Sequence, residues 1–195
     1  SAIDTDFHFT IMAWIRPDRI IHRLAKGYED RRDQPVYPWG DGKTCWAGHF
    51  IACKWSSVGH HGDFIFAITP SGRLGLGVSN SATRSFSSDS HFTEDCVPTA
   101  RWTHVAATFS RGEIGLLIDG ELVASKQSTT ILHTNRKEYV RDDLYVGGFW
   151  NQTVIDNESL YDFQGEIAEL CLFNRRLSTG EIQDVMRMTQ LRPNG

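Results

Sequence analysis

Two clusters of side chains in this sequence carry groups able to do chemistry. The first is His60-His61-Gly62-Asp63, with His49 upstream. Imidazoles and a carboxylate suit zinc. Neighbouring residues of a strand project to opposite faces, however, and neither His-x-His nor His-x3-His occurs. Polar contacts to a ligand at a rim and plain solvent exposure are the competing roles. The second cluster is the stretch Phe149 to Gln164, which holds Asn151, Asp156, Asn157, Glu158, Asp162 and Gln164. Asp156, Glu158 and Asp162 beside these amides make a solvated acidic loop the plain reading.

Catalytic patterns are weak by comparison. Retaining glycosidases use two carboxylates about 5 Å apart. Glu166 and Glu169 in GEIAEL are the nearest equivalent, and a spacing of three puts them on opposite faces of a strand unless a bulge intervenes. Gly-x-Ser-x-Gly and phosphate-cradling glycines are missing, and Gly72, Gly75 and Gly77 read as turn and strand residues. A role other than catalysis is expected. Aromatic residues such as Trp39 in a long loop can be platforms for sugar rings or for partners. Aromatics in a long loop also serve to pin it to the body of the domain.

The elements that must position these groups are strands. Arg101 to Gly120, RWTHVAATFSRGEIGLLIDG, is a double hairpin. Thr103, Val105, Ala107 and Phe109 alternate with Trp102, His104, Ala106 and Thr108, and Asp119-Gly120 tolerates the positive φ of a tight turn. Trp102 is expected in the core, Asp119 in the turn, and His104 inside the sandwich with its ring nitrogens satisfied. Phe7 to Arg16, His49 to Trp55, Asp63 to Thr69, Leu74 to Val78, Glu121 to Ser125, Leu144 to Gly147 and Glu166 to Phe173 read as further strands, and Asn80 to Asp95 as a loop or weak edge. Asp18 to Gly48 is a long irregular insertion carrying Tyr28, Tyr37, Trp39 and Trp46, and insertions of that length are more often functional than filler. Phe149 to Gln164 is a second long loop. Ser178 with Glu181 forms a capping box, and Ile182, Val185 and Met186 recur at helical spacing, so a short C-terminal helix is expected over an open end of the sandwich.

Bulk properties bound the function. A chain of 195 residues, 40% hydrophobic, can bury one sizeable core and is expected to form a single domain. A net charge of −4 gives no basic face for nucleic acid or anionic membrane. No apolar run approaches the ~20 residues of a membrane span. Four cysteines, Cys45, Cys53, Cys96 and Cys171, lack metal-type spacing. A Cys45–Cys96 disulfide and four reduced thiols are both open. Asn151-Gln-Thr153 and Asn157-Glu-Ser159 are glycosylation triplets that suit a secreted surface loop, so an extracellular or secreted location is expected.

Several runs carry a resemblance. FTIMAWI at 9–15, RWTHVA at 101–106 leading to Ile118-Asp119-Gly120, LYVGG at 144–148, and FQGEI at 163–167 running into FNRRLS at 173–178 resemble the laminin-G-like domains and the pentraxins, within the concanavalin-A-like lectin and glucanase group. The resemblance implies an all-β jelly-roll sandwich of two antiparallel sheets, one concave, with ligands met on the concave face or at its rim. Only six residues precede Phe7, which suggests a domain cut from a longer polypeptide. Position by position, the pentraxin calcium site maps onto Asp63 of the first loop and Asp156, Glu158, Asp162 and Gln164 of the second, so calcium is the implied cofactor. The pentraxin ligand run is not closely reproduced, and Ala168 stands where laminin-G-like strands commonly carry Asp. A non-catalytic lectin-like module is therefore expected, binding a glycan or glycoprotein through Trp39, His60, His61, Asp63, Trp150, Asn151, Asn157 and Tyr161, with both loops at one rim. The rival is a protein-interaction or structural module that contacts other domains of a larger adhesin, receptor, toxin or multidomain enzyme.

Overall fold

The computed structural model describes residues 8–20, 48–56, 61–79, 88–110, 112–127, 144–148, 154–155, 158–159 and 162–190, with backbone alone at 55–56, 61–63, 79, 88–90, 154–155 and 158–159. Among the described residues, twelve strands and one helix follow in chain order. They are β1 (His8–Pro17), β2 (His49–Ser56), β3 (His61–Ile68), β4 (Arg73–Ser79), β5 (Ser88–Cys96), β6 (Thr103–Ser110), β7 (Glu113–Ile118), β8 (Glu121–Lys126), β9 (Leu144–Val146), β10 (Val154–Ile155), β11 (Glu158–Ser159), β12 (Gly165–Phe173) and α1 (Thr179–Met188). One antiparallel sheet runs β12-β1-β6-β7-β8 and the other β5-β4-β3-β2-β9. The two make a jelly-roll sandwich, as the alternating strands and their turns require. A small β10–β11 ribbon lies inside the stretch expected to be wholly irregular.

Between the sheets, every second residue is apolar and buried. Phe9, Ile11, Ala13 and Ile15 of β1 meet Phe64, Phe66 and Ile68 of β3 and Leu74, Leu76 and Val78 of β4. Phe9 ties the layers, its ring centroid 5.0 Å from Phe64 and 5.6 Å from Phe109. Loss of such a ring costs about 3–5 kcal/mol in a core.

The opposite face of β1 and β6, with Thr10, Met12, His104, Ala106 and Thr108, is buried as well, so a second cover is needed. It is α1, which lies on the outer face of its sheet and not over an open end: Ile182 packs with Met12, Ala106, Leu117 and Leu177, flanked by Cys171, Phe173 and Val185. Polar ties hold both helix ends. Leu177 N–H donates to Thr10 Oγ1 at 2.8 Å, and Trp14 Nε1 donates to Thr189 Oγ1 at 3.2 Å. Gln183 Nε2 donates to the Gly120 carbonyl at 3.0 Å in the β7–β8 turn.

Two expectations about single residues change. Trp102 is half-buried, just ahead of β6, with the Arg16 guanidinium 5.9 Å from its ring centroid, and is not part of the buried core. His104 is buried under this second layer against Trp14, but its Nδ1 has no hydrogen-bond partner. Cys96 carries a free thiol whose Sγ donates to the Ser71 carbonyl at 3.1 Å, and Cys45, its candidate partner, lies outside the described residues. Asp119 takes the turn role expected of it, at φ 48°.

Candidate functional site

The first candidate loop leaves and re-enters the sheet at the β2–β3 hairpin. Ser56 pairs with His61, and the register then slips between Lys54↔Phe64 and Trp55↔Gly62. Asp63 is the residue left over, so it stands in a β-bulge, a device that re-aims side chains at sheet rims. The alternation of the sequence alone hides this, because a bulge adds a residue without changing residue type.

The second loop is anchored at both ends by backbone geometry. β9 pairs with β2 through Ala52↔Val146, Cys53↔Tyr145 and Lys54↔Leu144, and then turns at Gly147, φ 74°. Gly147 N–H donates to Ile51 O at 3.1 Å and its carbonyl accepts from Phe163 N–H at 2.9 Å. Phe163 plugs into the core. Asp162 folds over Gly148, where a Cβ would lie 2.7 Å from its Oδ1. Its carbonyl accepts from His49 Nδ1 at 3.1 Å. His49, a metal candidate in the sequence, is thus a buried strut between β2 and the loop root. Gln164 gives its carbonyl to Asp18 N–H at 2.8 Å. At Gly165 any Cβ would strike Arg16 O at 2.1 Å, so only glycine fits there.

These anchors stand at opposite ends of β2. His61 faces Ser56 at its C-terminal end, while Gly147 and Asp162 sit beside Ile51 and His49. Five residues of strand separate Ile51 from Ser56, roughly 17 Å. A common rim site therefore requires the second loop to cross back along β9. Asp162 and Gln164 are the ligand candidates with described side chains. His61, Asp63 and Glu158 are described in backbone only, Glu158 pairing with Ile155. Trp39, His60, Trp150, Asn151, Asp156, Asn157 and Tyr161 lie outside the described residues. Among the described residues, no three of His, Cys, Asp and Glu gather as metal ligands.

The outer face of this same sheet is closed near its centre. Cross-strand rows Phe50↔Ala67↔Gly75↔Phe92 and Cys53↔Ile65↔Gly77 point away from the core, yet Phe50 is 3% exposed, Ile65 5% and Cys53 and Ala67 0%. The Phe92 ring lies over Gly75, 2.5 Å from where a Cβ would be. Burial pushes the Cys53 thiol up to about 12, and its Sγ lies 3.9 Å from the Gly148 carbonyl. A thiol so placed is an inert packing group.

In β12 the ladder with β1 slips between Met12↔Cys171 and Trp14↔Ala168, leaving Glu169 and Leu170 opposite Ala13. Glu169 takes φ 51°, and its charge acts on Cys171 of the outer face. The bulge removes the parity that separates Glu166 from Glu169 in a regular strand. Glu166 is nevertheless held by Arg16 at 2.6 Å. Both carboxylates are exposed on the sheet face.

Similarities to known proteins agree with this architecture. A Ruminococcus gnavus IT-sialidase CBM40 bound to alpha2,3 sialyllactose superposes with a TM-score of 0.59 at 17% identity, covering 92% of this chain and 82% of that one. A heptameric SAP-like pentraxin from Limulus polyphemus gives 0.55 at 16%, covering 96% and 73%. A Bacteroides ovatus ATCC 8483 protein described as carbohydrate-binding gives 0.58 at 16% over 91% of this chain, which spans 40% of the length of that one. At these identities the likeness is one of fold. No curated protein matches the chain by sequence. Residues 41–183 match a laminin-G family described as concanavalin A-like lectin/glucanases, and the chain belongs to that superfamily.

Proposed function

We propose that this domain is a non-catalytic carbohydrate-recognition module that holds a glycan at the end of the β5-β4-β3-β2-β9 sheet. The observation that carries it is the family match over 41–183, joined to a sandwich similar across 92% of the chain to a sialyllactose-bound module. The closed sheet centre supports a rim site over a face site. Stacking on Trp39, Trp150 and Tyr161 would supply contact area, and His60, His61, Asp63, Asn151 and Asn157 would orient hydroxyls. Calcium belongs to the same proposal. The oxygen-rich second-loop set Asp156, Glu158, Asp162 and Gln164 has the donor chemistry of a hard cation, and Asp162 and Gln164 sit at its root, whereas Asp63 is rooted at the other end of β2, too far from them to share one ion. Bound there, calcium would present open coordination positions to sugar hydroxyls.

A glycan array probed with the 195-residue chain, with calcium and with chelator, tests this. Selective binding that is lost in Trp150→Ala and Tyr161→Ala supports it. Absence of binding to any glycan in both conditions overturns it and leaves the protein-interaction reading.

A further inference from the structure

Helix α1 is fastened to the outer face of its sheet by two unlike ends. At the N-terminal end Leu177 N–H donates to Thr10 Oγ1 at 2.8 Å, and that hydroxyl donates to the Arg175 carbonyl at 2.9 Å. Arg176 meets Glu113 at 2.6 Å, and Arg175 meets Glu181 at 2.8 Å. The Arg176 hydrogen bond holds the Glu113 carboxyl below its ordinary value, and the Ser178 backbone, then Arg175, hold Glu181 at about 2. This end stays charged in mild acid.

At the C-terminal end the helix spans His104. Trp14 of β1 and Asp119 after β7 flank that residue. Trp14 Nε1 donates to Thr189 Oγ1 on one side. On the other, Gln183 Nε2 donates to the Gly120 carbonyl, and the Met186 methyl lies 3.2 Å from where a Gly120 Cβ would be. Beneath this span His104 is 1% exposed, its ring centroid is 5.3 Å from that of Trp14, and its Nδ1 has no hydrogen-bond partner. A proton added to the ring puts a charge in a site that solvates it poorly.

The charged groups nearby are already engaged or exposed. Asp119 gives Oδ1 to the His104 N–H and Oδ2 to Arg101. On α1, Asp184 pairs with Arg187, and the Val185 carbonyl accepts from Thr189 N–H and Oγ1, both at 2.9 Å. On β12 the titratable groups are Glu166, held by Arg16, the exposed Glu169 and the half-buried Cys171. We propose that α1 is an acid-sensitive strap, hinged at Leu177 and Ser178, whose C-terminal half lifts when His104 takes a proton and bares Met12, Trp14, Leu117 and Cys171. Burial lowers the imidazole under the closed strap from 6.5 to about 4, against the upward pull of Asp119, and lifting returns the ring to water. Closure is therefore whole above pH 6.5 and is lost as pH falls toward about 4. From pH 7 to pH 5 the opening constant should rise about twentyfold.

Hydrogen exchange of the 195-residue chain at those two pH values, corrected for intrinsic rates, tests the strap. A helix of ten residues frays once off its sheet, so the amides of 185–189 should lose about twentyfold in protection while those of β7 keep theirs. Labelling with 4,4′-dithiodipyridine, read by peptide mass, should rise at pH 5 for Cys171 relative to the exposed Cys96. His104→Phe and His104→Asn do not titrate and should hold the protection of α1 equal at both pH values. Thr189→Val removes the Trp14 latch and should raise opening at both, with the pH ratio unchanged. Equal protection at the two pH values in the wild-type chain overturns the proposal. So does a pH dependence retained in the His104 variants, or β7 exchanging in step with α1, which marks unfolding of the whole domain.

Discussion

At His104 backbone and side chain are served unequally. Its N–H donates to Asp119 Oδ1 at 2.9 Å, and its carbonyl accepts from Asp119 N–H at 2.7 Å. Asp119 Oδ2 meets Arg101 at 2.9 Å on the surface. The ring, by contrast, is buried with Nδ1 unpaired. Burial lowers the imidazole from 6.5 to about 4, against an upward pull from the Asp119 carboxylate. The unfolded chain therefore binds the extra proton first as pH falls. Stability from this site is whole above pH 6.5 and drains as pH drops toward about 4. The full loss is on the order of 3 kcal/mol. Denaturant unfolding at neutral pH and near pH 4 should show a steeper acid loss for wild type than for His104→Phe. Parallel losses in the two proteins would assign the titration elsewhere. The turn at Asp119-Gly120 is legible in the sequence because that dipeptide tolerates positive φ. The orphaned nitrogen is not, since it depends on what a distant helix covers.

Among the elements, α1 is the one whose ends are written in its own residues. Ser178 Oγ accepts from Glu181 N–H at 3.3 Å, and Ser178 N–H donates to Glu181 Oε2 at 2.8 Å, the reciprocal capping box. The Ser178 backbone bond, then Arg175, hold the Glu181 carboxyl down at about 2. Ser178→Ala should cost about 1 kcal/mol in urea unfolding while glycan binding is unchanged. A much larger loss would mean that the cap also maintains the seating of Leu177 on Thr10. Where α1 docks could not be read from its caps. The cue was in β1 and β6, where Met12, Trp14 and Ala106 fall in the phase opposite to Ile11, Ala13 and Val105, so that one sheet–sheet core cannot bury them all. The bulges at Asp63, Val123 and Glu169 left no trace in residue type, because none of these positions is glycine.

For the molecule as a whole, the β2–β9 pairing governs the candidate site, since it fixes both roots of the second loop. If calcium fills the Asp156, Glu158, Asp162 and Gln164 set, chelator should lower the melting temperature, and added calcium should restore it in a concentration-dependent way. An unchanged melting temperature would count against the ion, without touching the glycan proposal. The sequence by itself determined the all-β class, the order of the main strands, the tight turns and the capped helix. These rest on period-2 alternation and on residue types acting over a few positions. Tertiary structure alone decided that the helix covers a sheet face, that the outer centre of the second sheet is closed, and that the two candidate loops root at opposite ends of β2. Each of those follows from contacts between residues far apart in the chain, Thr10 with Leu177, His49 with Asp162 and Gly147 with Ile51, which no local pattern encodes.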